Sequence, residues 1–341
     1  MASTVHARDL GEFVADTDRR GGVPALPAPG GFEVTFDTPV DQSLDPFSDA
    51  YFSQQLALYR ELSGRDLDQA VGERTALDVD RHAAACNPYG TGDIAFVAKH
   101  LRTVLAGVLL AELPPDAAVL DLGSGWGLTS EVLAYCGARV TSVDINPPFV
   151  ELVRRRADRL GLAIETTHAG FDDFDDGRGY DLVVFYECLH HAVKPWETLA
   201  RLAPRVKAGG KILWAGEPVN TYWWRHWGLR LDPISVYCVR KFGWWEGGWS
   251  EDFLGRCFAR AGFALTVHPG VGLDGGLIGL ARPAVRPEPT RRADPADDAA
   301  RRVAALERQI AEMSSSLSWR LAAPVRYAGR AVRALRRRRP A

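Results

Sequence analysis

The sequence lacks the features that are typical of secreted and membrane-spanning proteins. It has only five cysteines, and they form neither a close pair of the kind that binds zinc nor an even-numbered set that would indicate disulfides. No run of about 18 apolar residues occurs, and the amino terminus carries acidic residues where a signal peptide needs an apolar core. These absences predict a reducing, cytoplasmic setting and no membrane-spanning segment.

Acidic residues are missing from the carboxyl-terminal end, where eight arginines occur from Arg320 onward. Because the whole chain has a formal net charge of −2, residues 1–319 carry −10. Such an acidic body repels a phosphate backbone, so nucleic acid is not expected as a partner. With 341 residues, 46% of them hydrophobic, the chain is long enough to bury a full core and is expected to be globular.

Proline and glycine divide the chain into segments. The stretch RRGGVPALPAPGG favours a flexible leader without packed structure. Ser48 to about Gly64 has apolar residues at helical spacing, and HAAACNPYGTGD is a turn-rich loop that could cover a site. The predicted segments are the leader 1–31, accessory helices and lid 32–116, a core 117–282 with an insertion at 219–249, a linker 283–299 and a helical tail 300–341.

Apolar strands and amphipathic helices alternate from Ala117 onward. Seven strands can be identified, and five of them stand in βα alternation. This order predicts an α/β protein with a doubly wound, seven-stranded, mainly parallel sheet. The last two strands are joined by a short glycine-rich turn without room for a crossover helix, so one strand should run antiparallel.

The glycine-rich stretch VLDLGSGWG places Asp121, Gly123, Gly125 and Gly127 at the end of the first core strand. Glycines in such a loop let the backbone approach a ligand, and the following helix points its N–H groups at that ligand. A dinucleotide-binding loop would need its third glycine one position later, where this chain has Leu128. The pattern resembles the D/E-x-G-x-G-x-G motif of the class I S-adenosylmethionine-dependent methyltransferases.

This resemblance, which covers residues 117–281, implies a Rossmann-like methyltransferase fold and S-adenosyl-L-methionine as the cofactor. It places the methionine part on the glycine loop, with Trp126 either excluding water or simply packing. It implies that Asp144, at the end of the second core strand, binds the ribose hydroxyls. Phe171 would stack on the adenine, and Asp172 would bind its amine. The alternative is a solvated acidic loop made of Asp172, Asp173, Asp175 and Asp176.

The fourth core strand ends in YECLHHAVKPW, at the sheet edge where doubly wound folds carry their chemistry. Methyl transfer to a hydroxyl group needs alignment of the acceptor and removal of a proton. Glu187, His190 and His191 are the candidate bases, although a histidine in this loop of the family is often only structural. No metal is expected, because adjacent histidines on a turn diverge and no second carboxylate–histidine pair follows at helical spacing.

The candidate acceptor residues lie after the fifth core strand. The insertion 219–249 holds six of the ten tryptophans, interspersed with basic residues. This composition predicts an aromatic roof over the acceptor pocket that binds a sugar or an anionic glycan. The alternative is a hydrophobic lid that packs on itself or on a membrane. The residues expected to contact the acceptor are Glu217, Tyr222, Trp223, Trp224 and Arg225.

Two patterns mark the tail. Apolar residues from Val303 to Leu317 recur at heptad-like spacing, which is compatible with a homo-oligomer formed through residues 300–317. Beyond Pro324, apolar residues and arginines occupy opposite faces of a predicted helix, as in helices that lie on an anionic membrane surface. The alternative is a solvated basic end. The stretch SSSLSWRLAAPVR resembles a tail found on bacterial glycosyltransferases and associated enzymes of surface-polysaccharide assembly.

Together these features predict an S-adenosylmethionine-dependent O-methyltransferase that acts on a sugar or a lipid-linked polysaccharide, in the cytoplasm or peripherally at the inner face of the membrane. Two alternatives stay open. One is a small-molecule N- or C-methyltransferase, which needs no base matched to an alcohol. The other is a membrane-docked assembly factor that keeps the fold and binds partners through its tail and lid.

Overall fold

The computed structural model describes residues 3–74, 76–270, 276–284, 289–293 and 308. The chain divides into two compact units, Met1–Arg292 and Ala293–Ala341, and the helices and strands named below belong to the first unit. The predicted heptad run and basic helix of the tail lie outside the described residues, so both stay predictions.

The amino-terminal segment is folded, and the prediction of a flexible leader over residues 1–31 is wrong. Strand β1 (Ser3–His6) pairs in parallel with β2 (Phe32–Thr35), and helix α1 (Leu10–Arg19) lies between them in the sequence. Leu10 is fully buried in the main hydrophobic core. The glycines and prolines that suggested disorder are confined to the turns between α1 and β2, so the average composition hid a packed helix.

Four helices precede the core: α2 (Asp49–Ser63), α3 (Gln69–Gly72), α4 (Val79–Ala84) and α5 (Ile94–Ala111). The predicted helix from Ser48 to Gly64 is confirmed, because the Ser48 Oγ accepts a hydrogen bond from the Tyr51 amide and Gly64 ends the helix with a φ of 72°. Helix α5 has 18 residues and a mean hydropathy of 1.6, so by length and composition it could cross a membrane. Of this helix 28% is buried inside the protein, and core helices of globular proteins meet the same criteria.

The core alternates strands and helices in the predicted order. Its first part consists of β3 (Ala118–Leu122), α6 (Leu128–Tyr135), β4 (Arg139–Asp144), α7 (Pro147–Leu160), β5 (Ile164–His168), β6 (Tyr180–Tyr186), α8 (Pro195–Leu202) and β7 (Val206–Ala215). The insertion contributes β8 (Trp227–Leu229), α9 (Pro233–Phe242) and β9 (Gly247–Trp249). The chain then forms α10 (Glu251–Arg260), β10 (Phe263–His268), β11 (Ile278–Pro283) and β12 (Arg291–Arg292).

Hydrogen bonding places the strands of the central sheet in the order β12–β10–β11–β7–β6–β3–β4–β5. Strands β7, β6, β3, β4 and β5 are parallel, and β11 runs antiparallel to its neighbours β7 and β10. This is the predicted Rossmann-like methyltransferase fold with one antiparallel strand. The strand order reverses between β3 and β6, and open α/β sheets bind ligands at the carboxyl ends of strands at such a switch point.

The core strands are apolar on both faces because helices cover both sides of the sheet. On β3, Leu120 and Leu122 belong to the buried cluster that includes residues of α8 and α10, whereas Val119 belongs to the cluster that includes residues of α5 and α6. The same alternation continues on β6. The continuous apolar runs that identified these strands in the sequence therefore follow from burial on two sides.

The insertion after β7 is part of the hydrophobic core, so the predicted tryptophan roof is wrong for most of its members. The Tyr51 hydroxyl of α2 donates a hydrogen bond of 2.5 Å to the Trp227 carbonyl, and the Tyr59 hydroxyl donates one of 2.7 Å to the Gly243 carbonyl. The insertion therefore packs on the accessory helices. Its buried tryptophans are Trp224, Trp227, Trp245 and Trp249.

The segment 283–299, predicted as a linker, contains the short edge strand β12. Arg291 and Arg292 pair in parallel with Thr266 and Val267 of β10. The described part of the predicted linker thus extends the sheet to eight strands. Proline and charge content did not exclude this strand, because an edge strand faces solvent and tolerates both.

Candidate active site

A cavity of about 530 Å³ lies at the carboxyl ends of the parallel strands, where the order of the sheet reverses. Its size is within the range of small-molecule and cofactor sites. The walls come from α3, from the loops after β3, β4, β5 and β6, and from the insertion. The sequence analysis identified the glycine motif and the end of β6 separately. In the structure both line the same cavity.

The three glycines of the loop after β3 each have a positive φ: 65° at Gly123, 50° at Gly125 and 83° at Gly127. A Cβ at Gly127 would lie 2.5 Å from Val153 Cγ2, and one at Gly123 would lie 2.8 Å from the Cβ of Cys188. A Cβ at Gly125 would have no neighbour within 4 Å, and this residue lines the cavity. The loop therefore presents bare backbone to open space, as a cradle for a ligand requires.

Asp144 ends β4 and holds the glycine loop. Its Oδ2 accepts a hydrogen bond of 2.7 Å from the Gly125 amide, and its Oδ1 accepts one of 2.8 Å from the Asn146 amide. Burial raises the pKa of Asp144, and the two amide bonds oppose that rise. A carboxylate has about four acceptor positions, so others stay available toward the cavity that Asp144 lines. The predicted contact with ribose hydroxyls is compatible with this placement.

Asp121, the first residue of the motif, is not one of the described residues that line the cavity. It is 1% exposed, and its Oδ2 accepts a hydrogen bond of 2.5 Å from the Ser130 Oγ in α6. Burial raises the pKa of Asp121 to about 7, although the Ser130 bond opposes the change. The structure therefore corrects the predicted cofactor contact: Asp121 anchors α6 beneath the loop.

The pair predicted to bind adenine lines the cavity. The Phe171 ring packs edge-on against Phe185, with centroids 5.7 Å apart. Asp172 accepts a hydrogen bond of 2.9 Å from the Thr198 Oγ1 and lies 3.4 Å from the Arg201 guanidinium. Both side chains are therefore held in place at the cavity wall.

The other acids of this loop divide into two groups. Asp173 also lines the cavity. Asp175 forms an ion pair with Arg205, and Asp176 forms one with Arg178. The alternative of a solvated acidic loop thus fits Asp175, whose side chain is 63% exposed, but not Asp176, whose side chain is 20% exposed. Asp172 and Asp173 line the cavity and are also exposed to solvent.

Trp126 forms part of the wall and also packs on its neighbours. Its ring lies 4.7 Å from that of His82 and 5.8 Å from that of Tyr89, measured between centroids. These contacts place the turn-rich loop after α4 beside the cavity, as the sequence predicted. The fully buried Arg156 donates hydrogen bonds to the carbonyls of His82 and Ala85, so α7 holds the start of this loop.

His190 is buried and does not line the cavity, so its predicted role as a base is wrong. Its Nδ1 lies 2.9 Å from Glu217 Oε2, and its Nε2 lies 3.7 Å from Glu246 Oε2. Glu217 also accepts hydrogen bonds from the amides of Cys188, Leu189 and His190. Glu217 therefore closes the turn after β6, and its predicted contact with the acceptor is also wrong.

His191 does line the cavity, beside Glu73. Its Nδ1 donates a hydrogen bond of 2.8 Å to the Trp245 carbonyl and lies 3.3 Å from Glu73 Oε2. Burial lowers the pKa of His191, but the charge and hydrogen bond of Glu73 outweigh burial and raise the pKa to about 9. This shift favours the protonated ring, which donates hydrogen bonds to a ligand and is a poor general base. The role of His191 as a base stays a prediction.

Three potential metal ligands lie close together in the described part of the chain. Atoms of His190, His191 and Glu246 are within 4.8 Å of one another, and the two rings are 4.3 Å apart, so the argument that adjacent histidines diverge is wrong. Glu246 pairs with Arg230 at 3.3 Å. A protonated His191 has no lone pair for a metal. The absence of a metal remains a prediction.

Of the three predicted bases, Glu187 is the only carboxylate, and it lines the cavity. It directly follows β6 and has a φ of 52°, which is uncommon for a residue other than glycine and is often associated with functional sites. A Cβ at Gly216 would lie 2.3 Å from the Glu187 Cγ, so the glycine after β7 makes room for this side chain. The Glu187 side chain is 38% exposed.

The predicted acceptor residues of the insertion do not line the cavity. Tyr222 is 85% exposed, Trp224 is buried, and Trp223 packs at the margin of the core. The Arg225 amide donates a hydrogen bond to Gln42 Oε1. Burial contradicts the predicted acceptor contact of Trp224, whereas the contacts of Tyr222, Trp223 and Arg225 stay predictions.

Other residues occupy the positions that these were expected to fill. Trp244 lines the cavity, together with Gln69 and Glu73 at the two ends of α3. The sequence identified Trp244 as one of six tryptophans in the insertion, but it did not show which of the six lines the cavity. No pattern in the sequence marks Gln69 or Glu73, because tertiary contacts alone bring this short helix to the site.

Comparison with known proteins agrees with this geometry. Residues 119–210 match the family model described as a methyltransferase domain. The chain is 31% identical over 139 residues to a ubiquinone biosynthesis O-methyltransferase of Xanthomonas axonopodis pv. citri, across 40% of this chain and 58% of the relative. It is 32% identical over 133 residues to the mitochondrial enzyme of the same description from Schizosaccharomyces pombe, across 36% and 48%. The chain spans about half the length of these curated relatives.

Solved structures to which the chain is similar include the 1,6-didemethyltoxoflavin-N1-methyltransferase of Burkholderia thailandensis with bound S-adenosylhomocysteine. That likeness has 21% identity and a TM-score of 0.42, and it covers 57% of this chain and 82% of the other. A methyltransferase from Clostridium acetobutylicum shows 10% identity and a TM-score of 0.42, with coverage of 54% and 92%.

The sheet order, the glycine loop and the family match define the class of protein: the chain carries an S-adenosylmethionine-dependent methyltransferase domain, and its cofactor is S-adenosyl-L-methionine. The curated relatives reported above are O-methyltransferases of ubiquinone biosynthesis by name. Their names do not connect them with polysaccharide biosynthesis, so the predicted resemblance to enzymes of surface-polysaccharide assembly is not supported.

Proposed function

We propose that this protein transfers a methyl group from S-adenosylmethionine to a hydroxyl oxygen of a small, neutral acceptor. One observation carries the proposal: the carboxylate of Glu187, on a strained backbone, faces the same cavity as the glycine loop and Asp144. A cofactor cradle and a group that can take a proton thus line one cavity.

The cavity residues fit the cofactor. The open backbone at Gly125 suits the methionine part, the free acceptor positions of Asp144 suit the ribose hydroxyls, and Phe171 and Asp172 suit adenine. When bound, S-adenosylmethionine supplies a methyl group whose bond to sulfur breaks as the acceptor oxygen bonds to the carbon, with the electron pair left on sulfur. The protein contributes mainly position and exclusion of water, which can supply much of the rate.

A hydroxyl acceptor must also lose its proton. Glu187 lines the cavity and offers a carboxylate, whereas the charged His191 donates hydrogen bonds and His190 is turned away from the cavity. We therefore assign proton removal to Glu187. General bases of this kind contribute roughly 10²–10⁴-fold to a rate.

The charge of the cavity favours a neutral acceptor. Glutamate and aspartate side chains line it, but lysine and arginine do not occur among the described lining residues. An anionic glycan would be repelled by these carboxylates. Trp244 offers a flat apolar face, while Gln69 and Glu73 offer hydrogen-bonding groups, a combination that suits a neutral sugar.

A second candidate acceptor is a hydroxylated aromatic ring. The names of the curated relatives connect their O-methylation with ubiquinone biosynthesis, and the relatives align with this chain at 31% and 32% identity. The flat face of Trp244 would serve an aromatic ring as well as a sugar.

The test is transfer of labelled methyl from S-adenosylmethionine to a panel of neutral sugars, glycosides and dihydroxylated aromatic compounds. We expect label on a hydroxyl oxygen of one class and a strong decrease with Glu187→Gln. The matched control Glu165→Gln alters an exposed acid of β5, which pairs with Arg178 on the surface and should leave the activity unchanged. Label on nitrogen or carbon would favour the alternative of an N- or C-methyltransferase, and no transfer to any acceptor would overturn the proposal.

We also propose that the arginine-rich tail acts as an address on an anionic membrane surface and takes no part in catalysis. Its eight arginines from Arg320 onward support this role. Deletion of residues 300–341 should abolish flotation with anionic vesicles and keep turnover on a soluble acceptor. Loss of turnover, or vesicle binding that survives the deletion, would contradict the proposal.

A further inference from the structure

His100 of α5 contacts Glu187, the carboxylate at the cavity. Its Nε2 lies 3.5 Å from Glu187 Oε2, and the His100 side chain is 9% exposed. Its Nδ1 lies 3.0 Å from the carbonyl oxygen of Phe96, one helical turn earlier. A carbonyl oxygen only accepts hydrogen bonds, so Nδ1 carries a hydrogen and Nε2 is the nitrogen that gains or loses a proton.

Aromatic side chains hold the imidazole of His100 in this orientation. Its centroid is 4.5 Å from that of Phe96, 5.5 Å from that of Tyr89 and 5.9 Å from that of Tyr186. The ring is therefore enclosed on several sides. Its Nε2 stays directed at Glu187, although the sequence gave no reason to connect the two residues.

We propose that His100 is a positioning residue for the methyl transfer: its unprotonated Nε2 takes over the proton that Glu187 removes, and the imidazolium formed in this way holds the Glu187 carboxylate in place by a hydrogen bond. This inference rests on the proposed function. The O–H bond of the acceptor breaks, its electron pair forms the new bond to the methyl carbon, and the proton passes to Glu187 and then to Nε2 of His100. The imidazolium afterwards gives this proton to water.

The pair is a better base than a carboxylate alone. An isolated glutamate has a pKa of about 4, which makes it a weak base for a hydroxyl group. The hydrogen bond that the protonated Nε2 donates to the Glu187 carboxylate raises the pKa of His100, and burial acts in the opposite direction. A proton taken by the pair is therefore held with the affinity of an imidazole stabilised by a carboxylate.

The titratable groups around His100 come from three parts of the fold. Tyr186 and Glu187 belong to the end of β6, Tyr89 to the loop before α5, and Lys99 to the same helix. Burial raises the pKa of both tyrosines, so they stay neutral in the working range. Lys99 opposes the effect of Glu187 on the His100 pKa but is the weaker influence. Removal of the Glu187 charge should therefore change the His100 titration most.

The first test needs no turnover. The ring protons of His100 are titrated by NMR in the full chain and identified by their loss in His100→Gln. We expect a pKa above the ordinary value of about 6.5 in the wild type and a clearly lower pKa in Glu187→Gln. Equal pKa values in the two proteins would overturn the coupling of the pair.

The second test is the pH dependence of kcat on an acceptor found by the labelling experiment. We expect wild-type kcat to rise with pH through the His100 pKa. His100→Gln should lose this rise and about 10²-fold in kcat, with KM and the affinity for S-adenosylhomocysteine within about twofold. His226→Gln, at a half-buried histidine of the insertion that does not line the cavity, is the matched control and should keep the wild-type profile. An unchanged profile in His100→Gln would contradict the role of His100.

Failure of this inference differs from failure of the proposed function. If the wild type methylates a hydroxyl acceptor but His100→Gln has normal kinetics, only the role of His100 is wrong. If the wild type methylates no hydroxyl acceptor, the proposed function is wrong and the role of His100 falls with it, whatever the NMR titration shows.

Discussion

The amide of Gly125 donates a hydrogen bond of 2.7 Å to the Oδ2 of Asp144. This bond joins the glycine loop after β3 to the end of β4, so one carboxylate both fixes the loop and faces the cavity. The glycine loop and the aspartate at the end of β4 therefore form a single structural unit. A change at Asp144 should disturb the loop and the ligand contact together.

The glycine loop should tolerate no side chain at Gly127. We expect Gly127→Ala to reduce the free energy of unfolding by about 2–4 kcal/mol, from the positive φ and from overlap with Val153 Cγ2. Gly137→Ala is the control, because its φ is also positive at 96° but its Cβ would meet nothing within 4 Å. Urea unfolding of both variants separates the two causes. Equal losses would show that Val153 moves aside at no cost.

The amino-terminal helix should contribute to the stability of the core. We expect Leu10→Ala to reduce the free energy of unfolding by about 2–5 kcal/mol, because a fully buried leucine would leave a cavity. Val23→Ala, at a side chain that is 46% exposed, should change it by less than about 0.5 kcal/mol. A similar, small effect at both positions would instead support the prediction, made from composition, that this segment is a flexible leader.

The pair of His191 and Glu73 should make stability depend on pH. The folded protein raises the pKa of His191 to about 9 from 6.5, so the pair stabilises the fold fully below pH 6.5 and loses this effect as the pH rises through 9. The wild type should therefore lose about 1–3 kcal/mol more than His191→Gln between pH 6.5 and pH 9.5 in urea unfolding. Parallel losses in the two proteins would mean that His191 is neutral at pH 7 and would return it to the candidate bases.

Most of the fold could be predicted because its signals are local. The apolar runs of β3 and β6 reflect burial on both faces, and Ser48 and Gly64 mark the ends of α2 by their own chemistry. The amino-terminal helix was missed because the glycines and prolines beside it dominated the composition. The tryptophans of the insertion were misplaced because composition shows that a segment is aromatic but not which neighbour it packs against.

The site divides in the same way. Asp144 and the glycines could be found because motif spacing fixes where a strand ends and a loop begins. The order of Glu187, His190 and His191 in one short turn did not show which side chain faces the cavity, since that depends on how Glu217 closes the turn. His100 was missed because only the packing of α5 beside β6 brings it to Glu187.

The most direct measurement is calorimetric binding of S-adenosylhomocysteine to the wild type and to Asp144→Asn. The account predicts micromolar binding to the wild type and at least about tenfold weaker binding to the variant, since a charged hydrogen-bond acceptor is lost. Asp158→Asn, at an acid of α7 that is 69% exposed, should bind like the wild type. No binding to the folded wild type, or equal binding to all three proteins, would contradict the assignment of this cavity to the cofactor.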